Sequence, residues 1–183
     1  MKKIIFKKIK SVIDGFDTGF FAKILKPLLF VSSIVFGYIS NFRNFLYDNN
    51  LLKIQKAKTF VISVGNIVVG GGGKTPVVIF LINEIQKIAP RKKIGILSRG
   101  YGSKNEKSNL IVENTKETQN LTAKDIGDEP YLIKRKFKDV TLGVGRQRCQ
   151  NSKILDSKQL NCLILDDGMQ HRKLFRDFEW EKI

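Results

Sequence analysis

The stretch that most restricts the fold is Thr59-Phe60-Val61-Ile62-Ser63-Val64-Gly65-Asn66-Ile67-Val68-Val69-Gly70-Gly71-Gly72-Gly73-Lys74-Thr75-Pro76. Its first six residues are mostly β-branched or aromatic and short enough for a buried strand. The glycines that follow let successive backbone N–H groups turn inward around phosphate oxygens. A helix N-terminus adds partial positive charge, and Lys74 reaches the β- and γ-phosphates of a nucleotide. The Thr75 hydroxyl suits Mg²⁺. Beyond the loop, Val77, Val78, Phe80, Leu81, Ile85 and Ile88 recur at helical spacing, with Pro76 in a first turn whose N–H groups lack partners anyway. Strand, glycine loop and helix in this order predict an α/β fold: a P-loop NTPase-like, mostly parallel sheet flanked by helices. The strict pattern G-x-x-x-x-G-K-[ST] wants glycine at position 68, where Val68 stands. The competing reading is a glycine-rich turn that merely precedes a helix.

Further strands place polar residues where such a sheet binds ligands, at strand carboxyl ends. Leu160–Leu165 is apolar and runs into Asp166-Asp167-Gly168; these carboxylates suit Mg²⁺, directly or through water, and equally suit an Asx turn. His171, four residues on, reads as a polar site residue or a surface histidine. Ile94–Ser98 reads as a strand that delivers Arg99-Gly100-Tyr101-Gly102, a ligand loop or a simple glycine turn. Gly127-Asp128-Glu129-Pro130 precedes a helix expected over Tyr131–Phe137, and its two carboxylates could cap that helix or do chemistry. Val140–Val144 is another strand, followed by Arg146 and Arg148, which could neutralise substrate phosphate or stay solvated.

Residues 1–50 read differently from the lobe expected over 51–183. Ile5, Ile9, Val12, Phe16, Phe20, Ile24 and Leu28 make one apolar helical stripe beside Lys2, Lys3, Lys7, Lys8 and Lys10, the pattern of a helix lying in anionic headgroups; a core-packing helix has the same stripe. Pro27–Phe42 carries no charge, yet sixteen helical residues reach only about 24 Å of a hydrocarbon layer about 30 Å thick, so a dipping or interfacial segment is expected rather than a span. No secretory cleavage pattern follows, which keeps the segment in the mature chain and the lobe in the cytoplasm. With 33 Lys and Arg against 17 Asp and Glu, the formal charge of +16 favours anionic lipid, polyphosphate or nucleic acid. Two cysteines and a single histidine exclude disulfide scaffolds, multi-histidine zinc sites and most Cys/His nucleophile schemes. The basic residues show neither a recognition helix nor a stacking pattern, so no nucleic-acid partner is expected.

Ser63-Val64-Gly65-Asn66, Gly70–Pro76, Leu97-Ser98-Arg99-Gly100-Tyr101-Gly102, Gly127-Asp128-Glu129-Pro130 and Asp166-Asp167-Gly168-Met169-Gln170-His171, in that order, closely resemble the tetraacyldisaccharide 4′-kinase family of lipid A biosynthesis. The resemblance implies ATP and Mg²⁺ as cofactors. The acceptor it implies is the 4′-hydroxyl of a tetraacylated glucosamine disaccharide 1-phosphate, and the location is the cytoplasmic face of a Gram-negative inner membrane. It makes Val68, Val69, Gly70, Gly71, Gly72, Gly73, Lys74 and Thr75 the ATP loop. Asp128 becomes the general base, Thr75, Glu129, Asp166 and Asp167 surround the metal, and Arg99, Tyr101, Gln170 and His171 are candidate substrate contacts. An anionic membrane is the expected surface partner, and no protein partner is indicated. Residues 143–148 lack the family's usual local pattern. The family also continues past this point into a C-terminal lobe holding a histidine that supports the catalytic aspartate, so low activity is expected of this chain alone. A non-catalytic nucleotide-dependent membrane regulator is the alternative from another class.

Overall fold

The computed structural model describes residues 11–12, 15, 19–66, 73–115, 118, 120–169 and 171–182. The chain divides into two compact units, Met1–Leu52 and Lys53–Ile183.

In the first unit the dominant element is α1 (Phe20–Asp48), 29 residues of mostly apolar side chains. Two of its hydroxyls bond back to the helix itself: Ser32 and Ser33 donate to the Leu28 and Phe30 carbonyls at 2.8 and 2.7 Å. Pro27 lies inside the helix, where it removes one backbone donor. Two expectations change here. The helix expected to run on through residue 28 starts afresh within it: Gly15 takes φ 83°, and α1 begins after an extended Gly19, while Ile5, Ile9 and Phe16 of the expected stripe lie outside the described residues. Residues 1–10, with their five lysines, lie outside the described residues. The helix is also longer than the uncharged stretch, because Lys23, Lys26 and Arg43 are carried within it. At about 1.5 Å per residue it extends roughly 43 Å, so the length argument against a membrane span no longer holds. By length and composition it is the one such helix among the described residues, with a mean hydropathy of 1.7 over its best window.

The second unit is a doubly covered sheet. Its strands are β1 (Phe60–Asn66), β2 (Ile94–Ser98), β3 (Leu110–Val112), β4 (Thr141–Val144), β5 (Cys162–Asp166) and β6 (Phe178–Lys182). They lie in the order β3-β4-β2-β5-β1-β6, parallel throughout except for the edge pair β3–β4. The helices are α2 (Lys74–Ile88), the single turn α3 (Ala123–Ile126), α4 (Asp128–Lys136) and α5 (Arg148–Asp156). Successive strand side chains point to opposite faces, which separates two cores. Val64, Ile96, Leu142 and Ile164 join Val78, Ile82 and Ile133 on one face. Val61, Leu97, Leu163 and Leu165 join Leu155 and Leu174 on the other. Burial on both faces is why these strands read as continuous apolar runs rather than alternating ones.

Register aligns the strand ends. Val64 lies opposite Asp166, and Ser98 opposite Val144, so the loops leaving β1, β2, β4 and β5 emerge at one edge of the sheet. Helix α4 begins three residues earlier than expected. Gly127, at φ 95°, is its N-cap, so Asp128 and Glu129 are first-turn residues rather than residues preceding the helix, where the macrodipole favours their charge.

Candidate active site

At that carboxyl edge lies a cavity of about 340 Å³. Five segments meet in it: Lys74 at the start of α2, Ser98–Tyr101 at the end of β2, Gly127–Pro130 at the start of α4, Arg148 at the start of α5, and Asp166-Asp167 at the end of β5.

Lys74 follows Gly73, whose left-handed conformation at φ 72° ends the loop. Its Nζ donates to Asp167 Oδ1 at 2.8 Å. Burial works against the ammonium's charge, yet the Asp167 hydrogen bond and the attraction of Asp167, Asp166 and Glu129 outweigh it, and its pKa is raised. The two neighbouring aspartates differ in environment. Asp167 takes φ 54°, a left-handed conformation that aspartate tolerates, and its side chain is half exposed. Asp166 is 3% exposed, accepts from the Ser98 hydroxyl at 3.2 Å through Oδ2, and its Oδ1 has no hydrogen-bond partner among the described residues. Burial first, and the like charge of Glu129 next, push Asp166 up to about 6, against the Ser98 hydrogen bond and the attraction of Arg148.

Arg148 is a residue whose role the sequence left open. It is 6% exposed, and its Nη1 donates to the Asp167 carbonyl at 3.0 Å. Burial lowers its pKa, opposed by the attraction of Asp166 and Asp167, and a guanidinium stays protonated. Arg146, by contrast, turns away to Glu106, with Nε 3.3 Å from Oε1. Glu106 also takes Arg99 Nε at 3.0 Å and the Gly102 N–H at 3.1 Å, which folds the Arg99–Ser108 loop over the turn after β4. The Gly102 hydrogen bond comes first among the causes that lower the Glu106 pKa. Tyr101 stands 81% exposed with the Arg99 guanidinium 5.7 Å from its ring centre.

One glycine contact sets the spacing of the cavity walls. A side chain at Gly127 would lie 3.1 Å from Gly100 Cα, and one at Gly100 would lie 2.8 Å from the Ile126 carbonyl oxygen. Both residues have positive φ, 95° and 62°. Glycine at both positions lets the β2 loop touch the start of α4, so that Arg99 and Asp128 face one space.

Lys74, Arg99, Tyr101, Asp128, Glu129, Asp166 and Asp167 are therefore brought together. Val68, Val69, Gly70, Gly71, Gly72 and Gln170 lie outside the described residues. Thr75 is half-buried in the first turn of α2 and does not line the cavity; nor does His171. The His171 Nε2 sits 3.7 Å from Cys149 Sγ, and burial, then Arg148, Lys173 and Arg176, push its pKa down to about 4. Ser98 and Arg148 are site residues that the sequence reading missed or left undecided. A serine closing an apolar strand was the available signal for Ser98, and no local pattern marked Arg148.

Among the described residues no group of three or more His, Cys, Asp or Glu side chains forms a metal cage. Mg²⁺ does not require one, since it commonly keeps water and takes one or two carboxylates plus phosphate oxygens. The partnerless Asp166 Oδ1, beside Asp167 and Glu129, has the donor chemistry of such a site.

The family model described as LpxK, tetraacyldisaccharide-1-P 4'-kinase, matches residues 25–181. The chain belongs to this kinase family. Among its relatives, a tetraacyldisaccharide 4'-kinase of Actinobacillus pleuropneumoniae serotype 5b is 38% identical over 158 residues, covering 86% of this chain and 46% of the relative. The Histophilus somni kinase of the same name is 43% identical over 160 residues, with 86% and 46% covered. The crystal structure of the "apo" form of LpxK from Aquifex aeolicus, in complex with ATP, superposes with a TM-score of 0.72 at 40% identity, covering 86% of this chain and 48% of that one. The chain spans about half the length of these relatives. The mostly parallel sheet described above is the fold shared with the Aquifex LpxK.

Proposed function

We propose that the protein transfers the γ-phosphoryl group of ATP to the 4′-hydroxyl of a tetraacylated glucosamine disaccharide 1-phosphate, at the cytoplasmic face of a Gram-negative inner membrane. The convergence of Lys74, Asp128 and the Asp166–Asp167 pair on one cavity at the sheet's carboxyl edge carries this reading, together with the family to which the chain belongs. The Aquifex relative was crystallised with ATP, which supports ATP as donor here.

In this mechanism the glycine-rich segment before Lys74 would bind the donor phosphates, and Lys74 would neutralise their anionic oxygens. Lys74 is already charged and aimed at Asp167, so phosphate exchanges one anionic partner for another. Asp166, Asp167 and Glu129 of the cavity would hold Mg²⁺, which would supply neutralisation of charge on the donor phosphates. Asp128, on the rigid first turn of α4, accepts the proton of the acceptor hydroxyl. Arg148 and Arg99 add positive charge to a cavity that receives a polyanion. Phosphoryl transfer depends chiefly on positioning and charge neutralisation, and these side chains supply both. Helix α1, apolar and largely exposed, attaches the protein to the membrane that contains its lipid acceptor.

Asp128→Ala separates the roles. Its turnover number should fall by roughly 10²–10⁴, as for loss of a general base, with ATP affinity within a few-fold of wild type in a calorimetric titration. Wild-type turnover in this variant would remove Asp128 as the base.

A further inference from the structure

Outside the cavity, the segments 53–56 and 172–175 of the second unit form a short ribbon. The Gln55 N–H donates to the Lys173 carbonyl and the Phe175 N–H to the Gln55 carbonyl, both at 2.8 Å, in a parallel bridge between Gln55 and Leu174. The central pair faces inward: Leu174 is fully buried, and Gln55 Nε2 donates to the Cys149 carbonyl at 2.7 Å. Alternation then turns their neighbours outward. Ile54 and Phe175 are 39% and 40% exposed, and Lys56 and Lys173 are exposed beside them. Lys56 Nζ lies 4.9 Å from the Phe175 ring centre. No ion pair among the described residues engages Lys53, Lys56 or Lys173. The nearby carboxylate of Asp156 is taken by the Lys58 and Thr59 backbone N–H groups.

Two exposed apolar side chains interleaved with lysines that no ion pair among the described residues engages match a lipid headgroup layer, where the apolar tips enter the acyl boundary and the ammonium groups meet phosphate. The ribbon begins at Lys53, five residues along the chain after the end of α1. We infer that this ribbon is a second lipid-facing surface, which presses the catalytic unit onto an anionic membrane to which α1 tethers it; the inference rests on the membrane reading of α1. A ribbon held against the headgroups keeps the cavity close to an acceptor confined to the same layer.

The test places a reporter on the ribbon. In a Trp180→Phe background, Phe175→Trp is added to phosphatidylethanolamine–phosphatidylglycerol vesicles carrying brominated acyl chains, and bound protein should show quenched emission. The double variant Lys56→Glu/Lys173→Glu, with an unchanged unfolding midpoint, should partition onto these vesicles at least about tenfold more weakly than wild type. Vesicle-bound protein with unquenched emission overturns the inference while leaving α1 as the anchor. Wild-type protein that stays off the vesicles overturns both. Loss of poly-glutamate binding in the double variant, with vesicle partitioning intact, would make the ribbon a protein-facing surface and also overturn the inference. Nucleotide plays no part in these readouts, so they stand whatever the outcome for phosphoryl transfer.

Discussion

Asp166 concentrates the electrostatic tension of the site. Its folded pKa of about 6 lies above the ordinary 3.8, so between these values the folded chain keeps a proton that the unfolded chain has released. The associated stability is fully present below pH about 4 and is withdrawn as pH rises through 6, a swing on the order of 3 kcal/mol. His171 has the opposite sign: its folded pKa of about 4 is below 6.5, so stability is lost as pH falls through that interval. In the wild-type protein the two slopes oppose each other between pH 4 and 6. Asp166→Asn should therefore raise the unfolding midpoint at pH 8, and its remaining pH dependence should rise monotonically from pH 4 to 6.5. A midpoint at pH 8 that is lower in the variant would show that the buried charge is not the liability described. Mg²⁺ held as proposed would compete with that same proton, so stabilisation by MgATP should weaken below pH 6 in a thermal-shift series. Lys74→Ala should reduce ATP affinity at least about tenfold by calorimetry, since a charge-assisted phosphate contact is lost.

The elements show why parts of this site could be read from sequence and parts could not. The strand before the glycine-rich segment and the helix that begins at Lys74 are each local in sequence, as are β5 and its Asp-Asp ending, so local pattern sufficed for these elements. The hydrogen bond from Ser98 to Asp166 joins residues 68 positions apart and exists because β2 lies beside β5. Arg148 is likewise a site residue only because α5 starts under the turn after β5, and no periodicity encodes that. The early start of α4 was missed because Gly127 at positive φ, rather than an Asx or Ser cap, begins it. That same glycine makes an element-scale prediction. Gly127→Ala places a methyl group 3.1 Å from Gly100 Cα in a left-handed conformation, which should cost about 1–3 kcal/mol in a urea titration and shift the first turn of α4 that bears Asp128. Retained stability together with retained turnover would contradict the role given to this contact.

At the scale of the whole molecule, the sheet's open carboxyl edge, the clustered acidic and basic groups of its cavity and a long apolar helix are the parts that the proposed phosphoryl transfer to a lipid requires. The charge of +16 adds attraction for anionic phosphates and headgroups alike. The most direct measurement incubates the protein with γ-labelled ATP, Mg²⁺ and tetraacyldisaccharide 1-phosphate in mixed micelles, with Lys74→Ala alongside. The account predicts label in the 4′-phosphate of the lipid with the wild-type protein and none with the variant. Hydrolysis of ATP with the lipid left unlabelled, or no use of ATP at all, would contradict it.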